Sequence, residues 1–490
     1  MRRMVIGLIV LLTLLVGAAG ANDMDFTAEY SFFNFSTQRE HVGSIRYYDE
    51  NAYVFDFDVL PDGRSTLLVN GHNNHKHGCR TTIFRFAADG TKQWSHVHEE
   101  TINDIAVAPD GAVYAISASY GRSYYLIRFS PEGEVLWDLL IPDPDNHHAY
   151  AKRLEIASNG DVVFAGRSLY GDDVSLVAGR VDADGNLLWL QLFKPTDDAI
   201  QARMFDVALD ADDNVVMIGY YKRMISFIIL HYYLTLTYDG QGNLLWSDHF
   251  FLPYPHVSED ENHVAFNDEG QVIIAFSMYD KETYADALLM KYESDGELIW
   301  QHQLTEPEEQ YYNALALNED GEILLAGRDF LSGKGNNRLR LIKVDAEGEL
   351  VWSNSFLPKQ DISSHANHLD LNADGEMIVT GATCADECRY AVLYYDDDGA
   401  LLAQTMLDPV DPMIGAEGLY ANFIDTGALV FGYADNEDVN WDDFPENDYA
   451  LIYPDDDVVP DVDTDDDDAP PDDDDATADD DEATHNDDDA

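Results

Sequence analysis

The chain has 490 residues, 94 of them acidic and 28 basic, for a formal net charge of −66 at pH 7. A surface of that sign repels nucleic-acid phosphates and anionic membranes while favouring solubility and cations, so a nucleic-acid partner is not expected. The last 40 residues hold 20 acids and no base, leaving 74 acids and 28 bases (−46) before them. The tail therefore exaggerates the acidity without creating it, and a high-salt habitat, where screening reduces self-repulsion, would also account for it.

At the start, Arg2 and Arg3 precede an apolar stretch at 5–16 and the small residues Ala19, Gly20 and Ala21. This order predicts a signal peptide over 1–21, cut after Ala21. The apolar part is too short to favour a membrane anchor, and no cysteine stands at the cut for lipid attachment. The mature chain is thus expected to carry no transmembrane segment and to act in a periplasm, at a cell surface or in the medium. The next strand-like segment, EYSFFNF at 29–35, is placed to complete the last unit of a repeat array.

From residue 56 onward one unit recurs. An apolar segment, a DG-like turn and a second strand are followed by a third strand, another DG or EG turn and a strand that reaches tryptophan. The first turn falls at Asp62-Gly63, Asp110-Gly111, Asn159-Gly160, Asp213-Asn214, Glu269-Gly270, Asp320-Gly321, Asp374-Gly375 and Thr426-Gly427. The tryptophans that close the unit, Trp94, Trp137, Trp189, Trp246, Trp300 and Trp352, recur every 43 to 57 residues. Glycine suits the turns because it tolerates positive φ, and the flanking β-branched and aromatic residues suit strands. Four short strands at this period predict an all-β chain, a β-propeller over 22–454. Eight four-stranded blades are expected, with seven the alternative because an end repeat can be irregular. The apolar stretch at 225–236, which includes His231, reads as a buried strand and not as a membrane span.

Candidate sites are few. The first repeat contains His72, His75, His77 and Cys79 in GHNNHKHGC, a set able to ligate zinc or copper if one loop gathers it, with a polar loop as the plainer reading. Asn103, Asn262, Asn313 and Asn367 each stand eight positions before a turn glycine, with Asp104, His263 and His368 beside them. In a propeller that position approaches the axis. Its amides suit either a polar ligand or the capping of strand-end backbone groups, and the second use is favoured. Tyr120, Tyr170, Tyr220 and Tyr279 lie near the variable loops and retain more ligand potential than the tryptophans, which read as packing. Cys384 and Cys388 are close enough for a small-loop disulfide, which would leave Cys79 unpaired.

No nucleophile elbow, zinc-helix motif, glycine-rich phosphate loop or basic aromatic track is present, so catalytic residues stay unknown. From Asp455 to the end, aspartate runs broken by Pro460, Pro470 and Pro471 predict a disordered acidic tail.

The phrases YLIRFSPEGEVLW, ALLMKYESDGELIW and LRLIKVDAEGELVW resemble repeats of bacterial extracellular β-propellers of the broad quinoprotein-like (PQQ-like) class, over roughly 56–453. Such groups include outer-membrane assembly scaffolds, surface proteins and quinone-dependent dehydrogenases. The last would imply a quinone with a calcium ion near the axis, but the vicinal cysteine pair typical of many of them is missing.

The leading expectation is a secreted or surface-associated, non-enzymatic binding scaffold, monomeric and calcium-responsive through its acidity. Its partner would be a surface protein, a polysaccharide or another polar ligand. The alternative is a calcium-assisted redox or polysaccharide-active enzyme with an axial active site, and a purely structural surface protein is a third reading. The only cofactor suggested is Ca²⁺.

Overall fold

The computed structural model describes the strands at 8–9, 29–33 and 39–44 and most of 53–435. Within that span 74–77, 89–90, 100, 118–122, 171–172, 226–227, 253–261, 281–283, 305–308, 332–335, 386–387, 408–414 and 425–426 are not described. The repeat unit behaves as its alternation dictates. In the third, the strands His148–Ile156, Val162–Tyr170, Asp173–Val181 and Leu187–Phe193 pair antiparallel in chain order. Successive side chains point to opposite faces, so each sheet feeds two cores. Val163, Ala165, Leu176 and Ala178 pack with Met204, Val215 and Met217 of the next sheet. Val162, Phe164 and Val177 pack with Tyr114, Ile116 and Leu126 of the previous one. Because both faces are covered, the two middle strands read as nearly continuous apolar runs.

The turns carry a second device. The Gly185 N–H donates to Asp182 O (3.0 Å), and the Asp182 side chain accepts from the N–H groups of Asp184 (3.0 Å) and Asn186 (2.8 Å). Gly185 has φ +88°, and the strand register slips next to the turn, as in a hairpin with a glycine bulge. Where the pattern offers no glycine, in the first turn of the fourth repeat, Asp213 itself adopts φ +61°.

Seven four-stranded sheets of this kind follow one another, over 53–98, 102–142, 148–193, 199–252, 262–304, 309–356 and 363–407. The protein is a seven-bladed propeller, which corrects the expectation of eight four-stranded blades. The eighth turn signal, at Gly427, falls in a five-stranded sheet assembled from both ends of the described chain: Leu8–Ile9, Glu29–Phe33, Arg39–Ser44, Gly415–Ile424 and Gly427–Asp435. Glu29–Phe33 runs antiparallel to Gly427–Asp435. The physical reason for the miscount is that a DG turn marks a hairpin. The final repeat supplies one hairpin and no tryptophan strand, so it cannot build a four-stranded blade from its own sequence. The tail at 455–490 lies outside the described residues.

The first strands of neighbouring blades touch one another, which places them at the axis and the fourth strands at the rim. Both DG-type turns of every blade therefore lie at one end of the propeller. The connections between second and third strands, and those between blades, lie at the other. Among the described residues no helix is long and apolar enough to cross a membrane. Of the 225–236 stretch, Ile225 ends the strand Val215–Ile225 and 228–236 belong to the strand Ile228–Tyr238.

Candidate ligand site at the channel mouth

At the turn end, each tryptophan is a staple to the next blade. Trp137 Nε1 donates to Ala183 O (3.0 Å), Trp189 to Gly240 O (3.1 Å), Trp300 to Ala346 O (3.1 Å) and Trp352 to Asp397 O (3.3 Å). A cation on the third strand reaches the same carbonyl: Arg128 to Ala183 O (2.5 Å), Arg180 to Gly240 O (3.4 Å), Lys291 to Ala346 O (3.2 Å) and Lys343 to Asp397 O (3.4 Å). A carbonyl has two lone pairs, so it can accept both donors. The indole also lies on the turn glycine, where an added Cβ at Gly296 would sit 2.6 Å from Trp246. The repeated basic residue, glycine and tryptophan of the sequence pattern are thus one inter-blade joint.

The axis uses a different joint. In most blades the first strand carries a bulge, and its extra residue is Asn103, Lys152, Phe205, Asn313 or Asn367 in blades two, three, four, six and seven. Asn103 Nδ2 donates across to Ala151 O (2.5 Å) and Asn313 Nδ2 to Ala366 O (2.8 Å). Asn262 is buried and accepts from Ser277 N–H within its own blade (3.1 Å). The residue after the bulge is Asp104, Arg153, Asp206, Ala314 or His368 in those blades, and Asp56 after the corresponding shift in blade one. First strands splay apart around the axis and cannot form a ladder, so their N–H groups need other acceptors. Asp56 takes Ile105 N–H (3.0 Å), Asp104 takes Leu154 N–H (2.5 Å) and Asp206 takes Val264 N–H (3.1 Å). Asp58 takes Val107 N–H (2.6 Å) and Asp370 takes Phe423 N–H (2.6 Å).

Burial of so many carboxylates around Arg153 reshapes their proton affinities. Burial, reinforced by Asp56, raises Asp104 well above the ordinary carboxylate range. Burial, then Asp206 and Asp58, pushes Glu155 up to about 8, and burial pushes Asp58 up to about 6. Burial works against the Arg153 charge, but Asp104, Asp206 and Asp56 outweigh it and hold its proton more tightly than usual. Across the channel, burial pulls His368 down to about 4, consistent with its Nδ1 accepting from Ala421 N–H (3.4 Å). The axial acids therefore act as inter-blade acceptors. Among the described residues no group of three or more His, Cys, Asp or Glu is arranged to hold a metal ion.

On the loop side of the bulges the chemistry reverses. A pocket of about 150 Å³ is lined by Asn103, Tyr150, Ala151, Lys152, Gly166, Arg167, Arg203 and Met204, with no acid among them. Tyr150 and Arg167 face each other across two strands, and the guanidinium stacks 5.0 Å from the tyrosine ring. In the next blade Arg203 is the partner of Tyr220, and Lys222 Nζ lies 5.5 Å from the Tyr220 ring. Burial and the neighbouring Arg203 loosen the proton of Arg167, and the same two causes loosen that of Lys222. Gly166 makes this geometry possible. The bulge brings Tyr150 O to 2.0 Å from where a Cβ would stand, so no other residue fits beside Arg167.

Of the residues singled out in the sequence, Asn103 lines this pocket, and the buried Tyr220 stands opposite Arg203 in the next blade. Asp104, His263 and His368 follow at the axis. His72 and Cys79 are backbone partners at the end of a hairpin, whereas His75 and His77, like Tyr120, lie outside the described residues. Tyr170 is exposed and stacked on His147 (5.7 Å). Cys384 and Cys388 are joined by a disulfide across a hairpin at the loop end. Lys152, Arg167 and Arg203 went unnoticed in the sequence. Ala-Gly-Arg recurs at 165–167 and 326–328 but also at 178–180, where Arg180 belongs to the turn-end joint, so it does not single out this set. A second hollow, of about 630 Å³ at the rim between the first two blades, holds His96, His98 and Tyr125 beside exposed Val135 and Leu140.

The fold and pocket define the class, a β-propeller protein. No family model matches the sequence, and no curated protein does. Among solved structures, Sqt1 of Chaetomium thermophilum, bound to the N-terminus of the ribosomal protein L10, is similar with a TM-score of 0.52 at 10% identity, over 79% of this chain and 96% of that one. The β-propeller domain of the Trilobed protease from Pyrococcus furiosus gives 0.41 at 10% identity over 72% and 95%. An apocarotenoid oxygenase of Synechocystis gives 0.39 at 13% over 74% and 94%. Identities this low speak to the fold alone, so the quinoprotein-like resemblance narrows to the β-propeller itself.

Proposed function

We propose that this chain is a non-enzymatic binding propeller, acting as an extracytoplasmic interaction scaffold that receives a polar ligand at the loop end of its channel. The observation that carries this reading is the concave pocket formed by Asn103, Tyr150, Lys152, Arg167 and Arg203 at the loop end of the first strands. The leader-like start supports an extracytoplasmic site. The 94 acidic residues support a response to Ca²⁺, which would lower the self-repulsion of the surface.

A thermal-shift screen of polar small molecules against the full mature chain tests the binding reading. Ligands that raise the melting temperature of the wild type and not of Tyr150→Ala support it; a set of ligands indifferent to that substitution sinks it. Calorimetry with Ca²⁺ on the mature chain and on one ending after Tyr453 tests the calcium response. Saturable binding that survives the shortening assigns the response to the propeller, and heat that vanishes with the tail removes it from there.

A further inference from the structure

We infer that the pocket at the channel mouth is an oxyanion site, in which Lys152, Arg167 and Arg203 receive the phosphate or carboxylate of an anionic ligand beside the ring of Tyr150. This deepens the binding reading above and rests on it, adding the chemistry of the ligand.

The first argument is scarcity. Basic residues number 28 against 94 acids, yet three of the eight residues lining this pocket are basic and none is acidic. The second is the use of cations elsewhere. At the turn end Arg180 meets Asp161 (2.9 Å) and Asp213 (2.8 Å), and Lys343 meets Glu322 (2.5 Å) and Asp397 (2.7 Å), so charge and hydrogen bonds are matched locally. At the mouth, Lys152 Nζ donates to a carbonyl, Met204 O (3.4 Å), and Arg167 and Arg203 line one small hollow, where two like charges favour an anion between them.

The third argument is shape. With its Cζ 5.0 Å over the Tyr150 ring, the Arg167 guanidinium offers N–H groups suited to a planar, bidentate acceptor such as carboxylate or phosphate. A space of about 150 Å³ suits such a headgroup and is smaller than the pockets of about 300–1,000 Å³ that enclose whole drug-sized ligands. Behind Lys222, His231 is buried with its Nδ1 lacking a hydrogen-bond partner. Its ring lies parallel to that of Tyr220 (6.3 Å), and burial and Lys222 hold it neutral down to about pH 4. The wall is thus polar and does not supply a competing negative charge.

The sixth blade contains the control. Arg328 stacks on Tyr311 at 5.1 Å in the same strand positions as Arg167 on Tyr150, but it does not line the pocket. Inorganic phosphate and succinate are titrated by calorimetry into the full mature chain and into Arg167→Gln, Arg203→Gln and Arg328→Gln. The expected result is one saturable site, weakened about tenfold or more by Arg167→Gln and Arg203→Gln and unchanged by Arg328→Gln. Should Arg167→Gln fail to fold, Arg203→Gln with the same probes decides. Absence of phosphate and succinate binding, or binding indifferent to both pocket substitutions, overturns the oxyanion site. If a neutral ligand is then found whose binding Tyr150→Ala abolishes and Arg167→Gln does not, the oxyanion inference falls and the binding reading stands. If neither the anions nor the polar screen finds a Tyr150-dependent ligand, both fall.

Discussion

The two ends of this propeller spend the same residue types differently. At the turn end, arginine and lysine on the third strands point into the next blade's turn, share its carbonyl with a tryptophan and meet nearby carboxylates. At the loop end, Lys152, Arg167 and Arg203 gather around a hollow lined by no acid. The lesson is that repetition marks the joints, whereas the gathering of three cations in one hollow marks the candidate site. The tryptophan staple recurs in six of the seven blades, with Ala403 at that place in the seventh, whereas the three pocket cations converge at one place.

The glycines offer the strongest way to break that comparison. Near the loop end, Gly327 has Tyr311 O at 1.9 Å and Tyr312 Cα at 2.7 Å from a would-be Cβ. Backbone atoms cannot yield as a side chain does, so Gly327→Ala should cost about 3 kcal/mol or more in denaturant unfolding. At the turn end, Gly296→Ala combines φ +89° with an indole 2.6 Å away and should cost about 2 kcal/mol. Gly160→Ala, with φ +85° and nothing within 4 Å, should cost about 1 kcal/mol. Equal losses at all three would show that backbone conformation alone, and not the close approach of neighbouring strands and blades, sets the requirement.

The axis between the two ends gives the next effect, through pH. The folded state raises Glu155 from 4.5 to about 8, so its neutral form favours folding. That contribution is whole below about pH 4.5, declines as the pH rises, and is lost above about 8. Glu155→Gln keeps the neutral state throughout. It should stabilise the protein at pH 9 by something on the order of 2 kcal/mol, allowing for water in the channel, and change little at pH 4.5. A variant that gains equally at both pH values would mean that the charge of Glu155 is not what opposes folding there.

A smaller effect is expected for Trp300→Phe, which keeps an aromatic ring on the next turn but removes the Nε1 donor to Ala346 O. Lys291 still serves that carbonyl, so chemical denaturation should register a loss of about 1 kcal/mol, and a loss several times larger would show that the staple holds more than one joint. The smallest effect should come from Arg223→Gln at the loop end. Arg223 pairs with Asp198 at 2.7 Å in a partly exposed place, and its removal should leave the melting temperature almost unmoved. A clear drop would show that this rim is part of the folded framework.

Much of the framework was legible in the residues. The DG turns, the alternation and the tryptophans gave a propeller of four-stranded blades, because turn chemistry and period-two patterning are local. Three of the four asparagines eight positions before a turn glycine, Asn103, Asn313 and Asn367, are bulge residues of first strands, because a bulge must recur at a fixed distance from its turn. The blade count was misread because Thr426-Gly427 looks like any other hairpin, and only the pairing of Glu29–Phe33 with Gly427–Asp435 reveals a sheet drawn from both ends of the chain. Leu187 and Leu188 illustrate the same limit. They stand in the apolar run before Trp189 and look like core, but they are 43% and 50% exposed at the rim.

The sequence by itself determined the strand, the turn and the acidic character of this protein, since each depends on neighbours a few residues apart. Only the tertiary structure decided the site. Lys152, Arg167 and Arg203 are ordinary scattered cations along the chain, and they meet because bulged first strands of adjacent blades converge on one axis. Convergence in space leaves no periodicity in sequence, which is why the joints could be read in advance and the pocket could not.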